Sequence, residues 1–486
     1  MKQLLLFFLS FPLWLFSHQN LKAQTFSGTV KDQSTQQRIS FVNISSSGTY
    51  GTISNQDGEF NLQLKYLTKN DTIYFSSLGY ESKEFALKDL KEKMVFLKPT
   101  SFTLEEVFIT NKELSAEEIL QKVVQNAPKN YQHGNNKYGV FKREKENLKN
   151  DDLDIDFRRI NFLNKKQRQA FNEELASLGK KSKEVNENYI DTYVLLFKND
   201  EEYKIDPVLA TKLADPDKEN SVDKILLDVG EIIKEKLERA NTFKVKSGLF
   251  TLQDSLEIQI NSDVDSLNIK WGKNELTRLF KKYDFSEKID FDFISSPQNF
   301  NYQLEGITNM GDEFIYKIHF EPRKNKFKYR GDLFISAESF AILKMNYELV
   351  EPEKSPGILR MTFGIQMELK TATETAVFQK DQEENYFLKY VHRLRDEQVY
   401  LNRNIRFIEN TTEADKIVLK TKFKIDQSRQ TNSQFLFNSL GEYSNQEFQQ
   451  LTEKDKIPLQ ILRKYDPQVW EEYNIISPEK EIRTFQ

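Results

Sequence analysis

Cysteine is absent from the 486 residues. That absence excludes disulfides, thiolate metal sites, a cysteine nucleophile and a lipid anchor on an N-terminal cysteine. Histidine is scarce as well: His18 falls in an apolar leader, leaving His133, His319 and His392. A zinc peptidase needs His and Glu close together on one element plus a distant third ligand, with one position left open for water. No His-Glu-x-x-His run is present, and His319 sits in an alternating strand-like stretch, where a solvent-facing or satisfied side chain is expected. Glycine numbers 17, so ligand-cradling loops are few. There is no Gly-x-Ser-x-Gly elbow, no Gly-x-x-x-x-Gly-Lys-Ser/Thr phosphate loop and no Gly-x-Gly-x-x-Gly opening.

A basic excess is missing too. Formal charge is −4, and residues 1–23 hold Lys2 and Lys22 without an acid, so the remainder carries −4 − 2 = −6. Such a balance provides no field to hold nucleic acid. After the leader no apolar run approaches the roughly 20 residues that a membrane-spanning helix needs. Acids cluster at Asp151, Asp152, Asp154 and Asp156, but without the glycine and terminal glutamate of a calcium loop they read as a solvated face. Arg158-Arg159 and Lys180-Lys181 read the same way.

What the chain does have is aromatic bulk, with 38 Phe and 20 Tyr. These large units of buried area argue for a folded, β-rich protein, and the length argues for two or three domains. Residues 1–23 combine Lys2, the apolar run from Leu4 to Phe16 and a small residue, Ala23, at the expected cut. This is the pattern of a cleavable secretory signal peptide.

From 25 to 99, short alternating runs are punctuated by turn residues at spacings of about 10, the pattern of an all-β sandwich. The runs are 26–30, 40–44, 51–53, 59–64, 72–76 and 93–97, and Asn55-Gln-Asp-Gly58 supplies a turn in which Gly58 can take positive φ. In order and spacing, Gly28-Thr-Val-Lys-Asp32, Ile39-Ser-Phe-Val-Asn-Ile44, Gly48-Thr-Tyr-Gly-Thr52, Ser54-Asn-Gln-Asp-Gly-Glu-Phe60 and Phe75-Ser-Ser-Leu-Gly-Tyr80 resemble the carboxypeptidase regulatory-like domain. That module also precedes the plug of many TonB-dependent outer-membrane receptors. The resemblance implies a prealbumin-like sandwich of about seven strands, with Phe60 and Tyr80 as core aromatics, and implies no peptidase activity.

Residues 100–114 read as a linker with one short strand at 104–109, similar to the segment that leads into a receptor plug. Ser115-Ala-Glu-Glu118 is a capping box opening an apolar-periodic helix that Pro128 is expected to end. The stretch from Tyr138 to Glu144 resembles a segment that follows the same module in other envelope proteins. Residues 115–240 read as a mainly helical, charge-dense region with helices at 165–175 and 222–233, while 193–197 fits either a strand or a helical turn.

Strands return over 241–430, at 300–306, 313–320, 331–336, 340–347, 361–369, 386–394 and 417–425. Their order is similar to the curved antiparallel sheet of periplasmic lipoprotein-carrier folds, a half-barrel wrapped round a helix. A transmembrane barrel fits poorly, because charges such as those from Arg323 to Arg330 break its lipid-facing rows. Residues 431–486 read as a polar tail with short helices at 448–451 and 458–465 and Trp470 as an anchor.

The fold expected is therefore multi-domain: an all-β sandwich followed by an α+β domain with a curved antiparallel sheet, with residues 115–240 and 241–430 forming either one domain or two. The function expected is that of a non-enzymatic, exported envelope protein in the periplasm or at the outer membrane, meeting proteins, glycans or lipid there. A half-barrel carrier of a hydrophobic ligand is the alternative, and a hydrolase with an unrecognised site the second. No catalytic, cofactor-binding or metal-ligating residue is assigned.

Overall fold

The structure, a computed structural model, describes residues 25–485 apart from 47–49, 91–92, 101–113, 132–133, 182–184, 200–201, 215–241, 249, 258–265, 269, 312, 358–363, 382, 413–415 and 455. The expected leader, the strand at 104–109, the helix at 222–233 and His133 lie outside the described residues.

Alternation in the first 75 described positions builds the sandwich. Strands β1 (Thr25–Asp32), β2 (Asn43–Ser46), β3 (Gly51–Ile53), β4 (Glu59–Gln63), β5 (Thr72–Ser76), β6 (Lys83–Ala86) and β7 (Met94–Leu97) form two sheets, ordered β4-β1-β7 and β3-β2-β5-β6. Val30, Ile44, Phe60, Leu62, Ile73, Phe75, Val95 and Leu97 point between the sheets and are buried. Gly58 takes φ 67° in the turn before β4. Tyr80 sits at the rim of this core, half-buried, its hydroxyl donating to Asp32 at 3.0 Å.

The rest of the chain is organised by one large sheet. Helix α1 (Ala116–Asn130) opens on the expected capping box, Ser115 and Glu118 each satisfying the other's backbone N–H. It does not end at Pro128. The proline occupies the last turn, which closes behind it through Tyr131 N–H to Ala127 O. Then follow β8 (Asn136–Ile160), α2 (Lys165–Lys181), β9 (Asn186–Lys198), β10 (Tyr203–Leu213), β11 (Thr242–Ser247), β12 (Phe250–Glu257) and β13 (Ser266–Asn268). Helices α3 (Lys270–Tyr283) and α4 (Asp292–Ser295) precede β14 (Phe300–Met310), β15 (Glu313–Pro322), β16 (Tyr329–Ser336), β17 (Ile342–Leu349) and β18 (Glu353–Lys354). The chain ends with β19 (Ile365–Lys380), β20 (Tyr386–Glu409), β21 (Val418–Glu442), α5 (Asn445–Gln450), β22 (Lys456–Leu462) and α6 (Lys480–Arg483). The sheet runs β13-β22-β10-β9-β8-β21-β20-β19-β17-β16-β15-β14, with β11 and β12 beside β20 and β18 beside β19. It is antiparallel except where β10 meets β22.

Two expectations are corrected here. Residues 145–160 are strand, not helix: Leu153, Ile155 and Phe157 are buried while Asp154 and Arg158 are exposed, a period of two that the density of charges conceals. Residues 458–465 are not helical either, since β22 pairs with β10 through Ala210 to Leu213. The ambiguous 193–197 resolves as strand within β9.

Strands of 24 and 25 residues in β8, β20 and β21 reach about 80 Å at ~3.3 Å per residue, far beyond one core. Near their inner ends both faces are covered. Tyr138, Val140, Val194, Leu196, Phe435 and Phe437 pack under α1 and α3. The alternate residues Phe141, Tyr193, Tyr390 and Leu436 pack with Ile53 of the sandwich and with Trp470, Ile475 and Ile476. The outer ends form a wing, covered on one face by α2 through Phe171 and Leu175.

A polar joint fixes the sandwich to the sheet. Gly51 O accepts from Asn474 Nδ2 at 2.7 Å and from Lys389 Nζ at 3.2 Å, and Gly51 N–H donates to Asn438 Oδ1 at 3.3 Å. A Cβ at Gly51 would stand 2.2 Å from Ile44 O, so only glycine fits. Thr52 and Asn55 donate to the carbonyls of Ile475 and Ser477, and Arg483 pairs with Glu59. Arg143, 2% exposed, forks onto Asp191 at 2.6 and 3.0 Å and donates to Ile476 O. The C-terminal segment is thereby held from both sides.

Burial of Lys389 pushes its ammonium down to about 7 from an ordinary 10.5. The unfolded chain then binds the proton more tightly, so stability rises as pH climbs from about 7 towards 10.5. Lys389→Met removes the buried amine and leaves Gly51 paired by Asn474 and Asn438. The variant is expected to melt above the native chain at pH 7 and to lose most of the native rise between pH 7 and 9, as followed by calorimetry.

Candidate functional site

Helix α3 carries a short amphipathic stripe: Leu276, Leu279, Phe280 and Tyr283, spaced i, i+3, i+4, i+7, are all buried against the sheet. The chain that follows adds Phe285, Ile289, Phe291 and Phe293, the last stacked on Phe320 with ring centroids 4.2 Å apart. These side chains pack against the sheet face that a half-barrel reading leaves open for a ligand.

Along the flank of this stripe runs a chain of charges, drawn from α3, β8, β19 and β20. Lys142 Nζ lies 2.8 Å from Glu144 and 2.9 Å from Glu275. Glu275 meets Arg393 at 3.2 Å, and Arg393 meets Glu374 at 3.3 Å. Glu374 also takes Lys282 at 3.3 Å and the Tyr283 hydroxyl at 2.6 Å, while Tyr347 bonds both Lys282 and Tyr283. Glu275 and Lys282 are seven residues apart on α3, which puts both on one flank of the helix. Three carboxylates thus face three cations in a layer whose centre, Glu374 and Arg393, is buried and whose ends, Glu275 and Lys282 among them, are partly open to water.

Protonation follows from this geometry. Burial opposes ionisation of Glu374, but Lys282, Arg393 and the Tyr283 hydroxyl outweigh it and hold the carboxyl at about 2. Burial dominates at Lys282 and lowers its ammonium despite Glu374. Tyr283 and Tyr347 are raised well above the usual phenol range, burial being the main cause. Near neutral pH the network therefore holds an ionised, fully partnered carboxylate and protonated phenols, with no free base among these groups. Its chemistry is that of a lock.

Beside Lys142 and Glu144 lies a cavity of about 210 Å³, walled by Val140, Ile190, Val194, Leu276, Phe435 and Ile457, with Lys273 at its edge. It falls below the roughly 300 Å³ at which ordinary ligand pockets begin.

The histidines stand elsewhere. His319, on β15, holds Asp332 at 2.7 Å through Nδ1, and Glu305 is close enough that donor atoms of all three lie within 4.8 Å of one another. Lys317 already pairs with Glu305 at 2.6 Å, which places an ammonium where a metal ion would sit. His392 hydrogen-bonds Asn432 at 2.9 Å beneath the Phe41 ring, and burial lowers its pKa. The acidic run keeps a surface role: Asp152 pairs with Lys424 and Asp156 with Asn172, and Asp151 and Asp154 are exposed. No motif marks the network: apart from the neighbours Lys142 and Glu144, its ion-paired side chains stand 19 to 133 residues apart. The one sequence signal is that Glu374 shares strand parity with Ala376 and Phe378, an acid on an apolar face.

Removing one partner of a buried ion network strands the others, at a cost of about 3–5 kcal/mol. Glu374→Gln is expected to destabilise by that order in denaturant titration. A carboxyl held at about 2 instead of 4.5 contributes stability that is complete above about pH 4.5 and lost as pH falls towards 2. Melting temperature should therefore drop more steeply in the native chain than in Glu374→Gln between pH 4.5 and 2.

No curated protein matches the chain. A crystal structure of a protein of unknown function from Bacteroides fragilis, provisionally described as membrane-associated, aligns over 86% of this chain and 98% of its own at 11% identity and a TM-score of 0.13. The OccK5 (OpdH) structure from Pseudomonas aeruginosa aligns over 62% of this chain and 98% of its own at 9% identity and a TM-score of 0.10. Superposition that poor transfers neither fold nor function. The sandwich is another matter: residues 26–109 match the family model of the CarboxypepD_reg-like domain, and the N-terminal module of this chain is such a domain.

Proposed function

We propose that this chain is a non-enzymatic, exported cell-envelope protein with a binding or structural role at the outer membrane, in envelope assembly or nutrient uptake. The observation that carries the reading is the joint: a CarboxypepD_reg-like domain is bolted to a 15-stranded sheet by the chain's own C-terminal segment. Two modules held that way present one rigid platform with a long projecting wing. A leader-like segment at residues 1–23 supports export. When the whole chain is expressed in a Gram-negative host and fractionated, the expected product begins at Gln24 and is recovered with the envelope. An unprocessed cytosolic product overturns the reading, as does metal-dependent peptide hydrolysis by the purified protein.

One observation favours a second reading, that of a carrier. The cavity beside Lys142, Glu144 and Lys273 has an apolar wall, which suits a short apolar chain. Its volume of about 210 Å³ limits such a ligand to a medium-length chain. Octanoate is the probe: on this reading it co-purifies in native mass spectrometry with the wild type and is lost from Leu276→Trp, which fills the cavity.

A further inference from the structure

The free end of the wing carries charge that the described residues leave uncompensated. Here β11, β20, β21 and β8 lie side by side, and their register sets Lys246 opposite Arg406, Arg406 opposite Lys420, and Lys420 opposite Arg159. Residues opposed in neighbouring strands share a face with Cβ atoms roughly 5 Å apart. That face is the outer one. Phe243, Leu419 and Phe423 turn inward to α2, while Arg406 and Arg159 are exposed and Lys246 and Lys420 half-exposed. None of the four is ion-paired among the described residues. Acids close by in the register are engaged: Asp254 pairs with Lys244 at 2.8 Å and reaches Lys246 only through its longer-range charge, Asp156 holds Asn172 at 2.6 Å and Arg158 at 3.9 Å, and the buried Glu409 accepts from Ile417 N–H. Glu413 and Asp415, between β20 and β21, lie outside the described residues.

Like charges placed directly opposite weaken a sheet, and here three such pairs follow one another. An anionic plane against the face reverses the sign of that effect. The end of the wing also has an apolar edge. Two residues nearer the tip on the same face, Ile408 and Val418 oppose each other half-exposed, and Phe162 is exposed in the turn after β8. Exposed Arg158, Lys165, Lys166 and Lys416 surround them. A half-exposed apolar pair and an exposed phenylalanine, set among the polar residues Asn161, Asn410 and Thr412 with cations about 6.6 Å behind the pair, two residues along a strand, have the layering of a bilayer's acyl boundary and phosphate plane.

We propose that the free end of the wing docks on an anionic lipid surface, with Phe162, Ile408 and Val418 entering the headgroup boundary and Lys246, Arg406, Lys420 and Arg159 meeting lipid phosphates. The proposal stands on the wing alone, and its assay contains no export step, so it survives or fails independently of the reading above. The chain from Gln24 onward, which holds every described residue, is floated with phosphatidylcholine vesicles and with vesicles containing phosphatidylglycerol. Binding is expected only to the anionic vesicles and to weaken with salt. Replacing Arg159, Arg406 and Lys420 together by Gln should lower partitioning roughly a hundredfold, at about fivefold per basic residue, whereas Lys324→Gln with Lys326→Gln, in the turn between β15 and β16 and outside the wing strands, should leave it unchanged. Lys420→Glu puts a carboxylate between two arginines, so it should raise the melting temperature while lowering vesicle binding. Equal binding to neutral vesicles, no binding to anionic ones, unchanged binding by the triple variant, or tighter binding to heparin than to vesicles overturns the proposal.

Discussion

A sheet of fifteen strands must cover the apolar residues on its faces, and everything else in the large domain answers to that requirement. Backbone hydrogen bonds are satisfied along the strands, so the unsolved part is apolar area. Helix α3 and the aromatic run behind it solve it on one side by placing Tyr283, Phe285, Phe291 and Phe293 against Phe320, Tyr347 and Phe378. Aromatic pairs of this kind add to their area burial, and the edge-to-face geometry of Phe285 on Phe291 fixes their mutual positions. The charged chain from Lys142 to Lys282 sets where along the sheet the helix comes to rest, because only one placement of α3 lets Glu275 and Lys282 find their partners. Apolar contact supplies the adhesion and ion pairs the register, a division of labour in line with the modest net contribution of buried salt bridges to stability.

The opposite face is solved differently. Near the strands' inner ends it is the sandwich and the segment around Trp470 that cover it. Phe41 meets Tyr390 and His392 across this contact with φ 61°, a conformation that a non-glycine residue adopts at a cost of about 1–2 kcal/mol. Burial of the ring at the joint holds it there.

Strands whose two faces meet different environments were the legible ones. In the sandwich, and from 300 to 347, apolar residues alternate with polar ones, and the expected runs coincide with β1, β5, β14 and β15 to within a few residues. The capping box at Ser115 was legible for a similar reason, since its two partners are three residues apart. β8 was not. Its inner half is buried on both faces and its outer half alternates Leu153, Ile155 and Phe157 with charges, while bulges opposite Lys420/Thr421 and Asp426/Gln427 interrupt the period. The charge density that suggested a solvated helix is in fact one face of the wing. The network around Glu374 was illegible because its members become neighbours only through strand order, and strand order is a property of the whole sheet. Tyr80 shows the smaller kind of error, with an aromatic expected in the core standing at its rim.

The joint at Gly51 joins residues separated by 387 and 423 positions. A chain that emerges from its amino end forward can complete the sandwich early, since β1 to β7 close within 73 residues of each other. It cannot seat that sandwich until Asn474 and Ile476 arrive, some ten residues before the end. For the whole of that interval the polar surface of β3 and the inner stretch of β21 are waiting surfaces, open to water and to other molecules. The contacts that fasten the first module of this chain thus come in part from residues more than 400 positions further along it.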